Sequence, residues 1–124
     1  MDFTHMEKAL RSLNKALNPL PQTDLERDGV IQRFEYSFEL LWKHAKRVLA
    51  QNGIESHSPR SVIRDMAQQS WIDDADAWMS FLDARNLTTH TYNEEIAEKV
   101  FLAAQKFLKK AKAVLIKLKD VSRS

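Results

Sequence analysis

The sequence predicts an all-α protein, an antiparallel up-and-down bundle of four to five helices. Apolar residues recur at alternating spacings of three and four in several long stretches, which is the period of one helix face. Glycine and proline are scarce, at two and three among 124 residues, which disfavours hairpins and long loops. The hydrophobic fraction of 44% and the charged fraction of 29% are ordinary for a globular protein. The length fits one domain over residues 1–124.

The first two helices are bounded by clear signals. The first is predicted to end before Pro19, because a residue that precedes proline disfavours helical dihedrals. The second follows Thr23 and Glu26, which have the spacing of a capping box, and it ends at Asn52-Gly53, a common C-terminal signal. Their apolar stripes are Phe3, Met6, Leu10, Leu13 and Leu17 in the first helix, and Ile31, Phe34, Phe38, Leu41, Ala45 and Val48 in the second.

Further helices complete the predicted bundle. Ser58 and Pro59 suit the N-cap and the first turn of a shorter third helix. Asp73 is the predicted N-cap of a fourth helix, and Asn93 with the two acids after it begins the last, where negative charge suits the helix dipole. The apolar residues are Ala75, Trp78, Phe81 and Leu82 in the fourth, and Ile96, Val100, Ala104, Phe107, Leu108, Ala111, Leu115 and Leu118 in the last.

The composition excludes several classes of site. Without cysteine the chain has no disulfide, thiol nucleophile or zinc–thiolate centre. No two of its four histidines are three or four residues apart, so we expect no helical metal site and no cofactor. Two distant glycines cannot form a phosphate-binding loop of the Walker or dinucleotide type. The sequence shows neither a signal-peptide pattern nor a membrane-spanning apolar run, so a cytoplasmic location is expected.

Charge is distributed unevenly, although the net charge is only +2. Acids dominate residues 73–98, and lysines dominate the chain from Gln105 onwards. A basic segment of this kind attracts RNA or an acidic protein, or it is simply the solvated face of a helix. Both interpretations fit the composition.

The segment from Arg85 to Tyr92 departs from the helical composition on either side of it. It reads Arg85-Asn86-Leu87-Thr88-Thr89-His90-Thr91-Tyr92, and its β-branched threonines lose side-chain freedom in a helix. It also brings a guanidinium, an imidazole and a phenol close together in sequence. A segment that breaks the local pattern while it gathers such groups is a typical place for function. We therefore take residues 85–92 as the candidate site.

Helical position predicts partners for two of these side chains. Arg85 falls on the bundle side of the fourth helix, where an unpaired guanidinium is costly, and Glu35 on the second helix is the carboxylate we expect beside it. An Arg85–Glu35 bridge that only ties two helices together is the structural alternative. Asn86 and His90 share a face if the helix continues, so Asn86 is predicted to hydrogen-bond the imidazole and fix its tautomer. Taken singly, His90 fits a helix cap and Tyr92 a packing residue.

The conjunction of an arginine and a histidine, with no metal, suits cleavage of RNA by its own 2′-hydroxyl. The imidazole transfers a proton, and the guanidinium neutralises charge that grows on the phosphate oxygens. The reaction benefits from both an acid and a base, but each chain offers one well-placed histidine. A two-fold dimer would supply the second.

Arg85, His90 and Tyr92 have the spacing of the R-x4-H-x-Y form of the HEPN motif (higher eukaryotes and prokaryotes nucleotide-binding). The strings Arg27-Asp28-Gly29-Val30-Ile31-Gln32-Arg33-Phe34-Glu35 and Ala84-Arg85-Asn86-Leu87-Thr88-Thr89-His90-Thr91-Tyr92-Asn93-Glu94-Glu95 resemble the nucleotidyltransferase substrate-binding protein family, to which HepT-type toxins belong. The likeness spans about residues 5–118.

The resemblance implies a HEPN bundle that dimerises, with the motif lining a cleft between protomers. It implies a minimal nucleotidyltransferase as partner and antitoxin, RNA as substrate, and a metal-independent ribonuclease toxin. Arg85 and His90 match the catalytic pair of the motif, and Tyr92 matches the tyrosine that receives AMP from the partner. Two other functions are compatible with the same residues: a non-catalytic subunit that holds substrate for the nucleotidyltransferase, and a purely structural helical dimer.

Overall fold

Five α-helices and one short 3-10 helix make up the computed structural model, which describes residues 1–123. No strand occurs in this range, so the all-helical prediction is confirmed. The helices are α1 (Thr4–Leu17), α2 (Asp24–Gln51), α3 (Pro59–Gln68), α4 (Ala75–Asn86) and α5 (Glu94–Arg123), and the 3-10 helix is Thr88–His90, between α4 and α5.

Side-chain caps fix the helix starts close to where the sequence predicts them. The Thr23 hydroxyl accepts the backbone N–H of Glu26, and Ser58 accepts that of Ser61, so both expected N-caps are confirmed. The start of α4 is a correction. Asp74, rather than Asp73, accepts the N–H of Ala77 at 3.0 Å.

The two longest helices, α2 and α5, lie side by side and run parallel. Arg27 and Glu94 form an ion pair near their starts, and Ser122 donates to Gln51 near their ends. On one side α1 runs antiparallel to both, and its Glu7 pairs with Lys119 near the end of α5. On the other side α4 runs antiparallel to α5. Helices that follow each other among these four therefore alternate in direction, as an up-and-down bundle requires.

Phe107 of α5 is the centre of the core. Its ring lies 5.2 Å from that of Phe34, 5.9 Å from Trp78 and 5.6 Å from Phe81, in edge-to-face geometry, so that three helices meet on one side chain. All six apolar residues predicted for the face of α2 are buried. The predicted stripe of α5 is buried as well, except that Ile96 and Leu115 are half-buried.

None of the helices in residues 1–123 is both long enough and apolar enough to cross a bilayer.

Candidate active site

The candidate site lies where α4 stops and the chain turns towards α5. After Asn86 the backbone passes through the 3-10 helix, and the hydroxyl of Thr88 donates to the carbonyl of Arg85 at 2.8 Å. Thr91 donates in the same way to the carbonyl of Thr88. Carbonyls at the end of a helix need such partners, so the threonines that disfavour a longer helix also stabilise its termination.

Both ends of the segment that joins α4 to α5 are fastened to α2 by arginine–carboxylate pairs. Arg85 at the end of α4 pairs with Glu39, and Glu94 at the start of α5 pairs with Arg27. Glu39 and Arg27 are about 18 Å apart along the helix axis, at 1.5 Å per residue. The motif segment is therefore held along the surface of α2.

The guanidinium of Arg85 is shared between two acceptors. Its Nη2 forms an ion pair with Oε1 of Glu39, and its Nη1 donates to Oδ1 of Asn86 at 3.1 Å. The Arg85 and Glu39 side chains are 32% and 24% exposed, so the pair is partly shielded from water.

Two predicted contacts are wrong. Glu35 is exposed and does not pair with Arg85, because the end of α4 reaches α2 one turn further along, at Glu39. Asn86 does not hydrogen-bond His90, because α4 ends at Asn86 and the two residues no longer share a helical face. Asn86 instead orients Arg85.

His90 and Tyr92 form the second half of the site. Nδ1 of His90 lies 3.3 Å from the hydroxyl of Tyr92, and the two rings meet edge to face at 5.9 Å. Both side chains are exposed, and Tyr92 is 86% exposed. Across residues 1–123, His90 and Arg85 make no hydrogen bond or ion pair with each other. Within one protomer the structure thus assembles two neighbouring groups, Arg85 with Glu39 and Asn86, and His90 with Tyr92.

The Arg27–Glu94 pair is two-pronged, with N–O distances of 2.5 and 3.1 Å. The hydrogen bond from Arg27 lowers the pKa of Glu94, and the same contact raises the pKa of Arg27. A carboxylate at this position also suits the N-terminal end of α5.

Sequence reasoning missed Glu39 and Arg27 as parts of the site. Glu39 lies one turn beyond the predicted Glu35 on the same side of α2, so helical spacing points to the right face but not to the right turn. Arg27 begins the first of the two strings that carry the family resemblance, and its pairing with α5 is a long-range contact.

Two surface recesses of 530 and 540 Å³ lie away from the motif side chains. The first is between α1 and α5, and the second is between α4 and α5, beside Ala84 and Leu102. Neither is lined by Arg85, His90 or Tyr92. The exposed imidazole and phenol therefore lie on the open surface of the protomer, where a large substrate or a second protein can reach them.

The chain resembles known proteins over nearly its whole length. A family model described as nucleotidyltransferase substrate binding protein like matches residues 1–120. A Haemophilus influenzae protein named Probable ribonuclease HepT is 32% identical over 97 residues, which is 74% of this chain and 66% of that protein. The match thus spans slightly less than two thirds of that relative's length.

Solved structures agree with the family match. A crystal structure of a Thermus thermophilus protein has a TM-score of 0.85 and 38% identity, over 91% of this chain and 98% of that one. A Haemophilus influenzae structure, described as revealing the fold of a substrate binding domain of a nucleotidyltransferase, has a TM-score of 0.84 and 27% identity, over 95% and 99%. The chain belongs to the nucleotidyltransferase substrate-binding protein family.

Proposed function

We propose that this protein is a HepT-like toxin, a single-domain cytoplasmic endoribonuclease that needs no metal and is neutralised by transfer of AMP to Tyr92. The observation that carries the proposal is the pairing of an 86% exposed phenol with His90, at 3.3 Å from its Nδ1. A group attached to that hydroxyl would lie directly against the imidazole. The curated relative named as a probable ribonuclease supports the same activity.

Arg85 and His90 have complementary roles in the proposed cleavage. A base removes the proton of the 2′-hydroxyl, and the oxygen attacks the adjacent phosphorus. The bond to the 5′-oxygen breaks, and an acid protonates that oxygen as it leaves, so that a 2′,3′-cyclic phosphate remains. His90 is one of the two proton carriers, and the Arg85 guanidinium stabilises charge on the non-bridging oxygens.

A homodimer supplies the second proton carrier. One protomer has a single histidine in the segment, and among residues 1–123 His90 and Arg85 make no hydrogen bond or ion pair with each other. In a two-fold pair, the Arg85 of one chain can face the His90 of its partner across a shared cleft.

Inactivation follows from the position of Tyr92. The phenolic oxygen attacks the α-phosphorus of ATP, pyrophosphate leaves, and the phenolic proton passes to a base such as His90. The product carries a phosphodiester anion beside the imidazole. That anion occupies the place of the substrate phosphate, and the attached nucleoside blocks access to it.

The test is cleavage of total cellular RNA by the purified protein in the presence of a chelator. Arg85→Ala and His90→Ala are expected to lower cleavage by about a thousandfold, within the usual range for loss of an electrostatic or acid–base group. Arg11→Ala and His57→Ala serve as matched controls, because both side chains are exposed and lie outside the segment. Equal activity in all four variants contradicts the proposal.

A second candidate function is a non-catalytic subunit that holds substrate for the nucleotidyltransferase. The contacts of Arg85 with Glu39 and Asn86 favour this function. They hold the guanidinium in place, and an arginine that only binds substrate needs to be held in the same way. The Haemophilus influenzae structural relative is described as a substrate binding domain. This function predicts no RNA cleavage and a complex with the transferase that still forms after His90→Ala.

A further inference from the structure

Glu39 contacts two cations at once. Its Oε1 pairs with Nη2 of Arg85, and its Oε2 lies 3.7 Å from Nζ of Lys43. Glu39 is 24% exposed, whereas Lys43 is 61% exposed. One partly buried carboxylate therefore holds a half-buried guanidinium and an exposed ammonium next to each other.

The charge of this cluster favours an anion. Two cations and one carboxylate leave a net charge of +1, and the exposed member is the lysine. Its ammonium is only loosely held, so Lys43 can turn to a second anion while Arg85 stays fixed on Glu39 and Asn86.

The charges along the surface of α2 differ on the two sides of this cluster. The first turns of α2 carry exposed acids, at Asp24, Glu26 and Asp28, and Glu35 is exposed two turns later. Beyond Glu39 the sign reverses, with Lys43 and Arg47 exposed and Lys46 half-buried. A phosphate chain that meets Arg85 is therefore attracted towards Lys43 and repelled from the start of α2.

From these contacts we infer that Glu39 is a positioning residue, which holds Arg85 and Lys43 side by side as a two-cation site for the RNA backbone. Arg85 takes the phosphate that is cleaved, and Lys43 takes a neighbouring phosphate of the same strand. The inference rests on the proposed ribonuclease function and adds the path of the RNA across α2. A lysine four residues after a glutamate also stabilises a helix locally, and the experiment separates that role from RNA binding.

The experiment compares Glu39→Gln, Lys43→Ala and the control Lys15→Ala, an exposed lysine on α1. Binding is measured with a fluorescent, mixed-sequence 2′-O-methyl RNA, which cannot be cleaved, over a range of salt concentrations. Cleavage of total cellular RNA is measured separately. The thermal unfolding of each variant shows that it is folded.

Lys43→Ala is expected to weaken binding about fivefold and to reduce the slope of log K against log salt by about 0.7, the value for one phosphate contact on a single strand. Glu39→Gln removes a negative charge but keeps the shape, so binding is expected to stay equal or to tighten, while the single-turnover cleavage rate falls about tenfold. A purely structural glutamate would not give slower cleavage together with equal or tighter binding.

Two results overturn the inference: a Lys43→Ala variant with the binding and salt slope of Lys15→Ala, or a Glu39→Gln variant that cleaves at the wild-type rate. Failure of the proposed function is a different result, because the wild-type protein itself would then leave RNA intact.

Discussion

Tyr92 is the residue on which the proposed regulation depends. Tyr92→Phe removes the hydroxyl that would receive AMP, and the side chain is 86% exposed, so we expect no mass increase after incubation with the transferase and ATP, and a Tm within about 1 °C of the wild type. RNA cleavage by this variant should persist when the transferase is present. Intact-protein mass spectrometry and an RNA cleavage assay measure the two effects.

Tyr36 is the matched control for that prediction. It is the only other tyrosine in the sequence, it is exposed, and its hydroxyl contacts Ser12 on α1. Tyr36→Phe should still gain one AMP unit. A mass increase on Tyr92→Phe equal to that on Tyr36→Phe would show that another residue is the acceptor.

At the scale of residues, the sequence identifies the segment that forms the candidate site, but it does not identify the contacts of that segment's side chains. Arg85, His90 and Tyr92 stand out because the threonines between them disfavour a helix. The predicted pairing of Arg85 with Glu35 was wrong because helical periodicity gives the face of α2 but not the turn of α2 beside which α4 ends. The position of that turn depends on how whole helices pack against each other, and the spacing of residues along one helix does not determine it.

The two glycines of the chain have opposite effects on helix α2, because one follows its end and the other lies inside it. Gly53 follows α2 with a φ of +78°, which side-chain-bearing residues rarely adopt, and Gly53→Ala should lower the free energy of unfolding by about 1 kcal/mol. Gly29 lies inside α2, where an added Cβ meets only Nη1 of Arg33, at 3.4 Å, an ordinary van der Waals contact. Gly29→Ala should therefore raise the free energy of unfolding, by up to about 1 kcal/mol. Urea unfolding measures both, and changes of the same sign in the two variants would contradict this account.

The link between α2 and α5 should depend on pH. Arg27 lowers the pKa of Glu94 in the folded protein, so the pair stabilises the fold above the unfolded-state pKa of about 4.3, and this contribution disappears as the pH falls through the lower folded-state value. Glu94→Gln should therefore be less stable than the wild type at pH 7 and equal to it at about pH 2. Denaturant unfolding across that range measures the difference.

Glu95→Gln is the control for the pH prediction, since Glu95 is in the same turn of α5 and forms no ion pair among the residues that the structure describes. A stability difference for Glu94→Gln that stays constant from pH 7 to about pH 2 would rule out the charge of Glu94 as its cause.

Helix boundaries were predicted well because caps are local. Thr23 and Ser58 each accept a backbone N–H three residues ahead, which the sequence shows directly. Asp73 and Asp74 are adjacent and chemically identical, so local signals could not decide which of them caps α4.

At the scale of the whole molecule, the sequence predicted a helical bundle, but it did not predict which helices pack against each other. Amphipathic stripes require helices to pack, and short connections require successive helices to reverse direction. The close parallel packing of α2 and α5 comes from large side chains that meet around Phe107, from helices far apart in sequence. No local pattern states that Phe34 and Phe107 are partners.

The last prediction follows from the proposed dimer and concerns a site shared between two chains. Arg85→Ala and His90→Ala chains are each expected to be inactive when purified alone. When they are unfolded together and refolded as a mixture, half of the dimers contain one chain of each kind. Each of these keeps one Arg85 that faces one His90 across the interface, but it has one histidine instead of two. RNA cleavage should then exceed that of either variant alone and reach at most about a quarter of the wild-type level. Refolding each variant by itself is the control, and a mixture as inactive as either variant would show that the two side chains do not act across a dimer interface in this way.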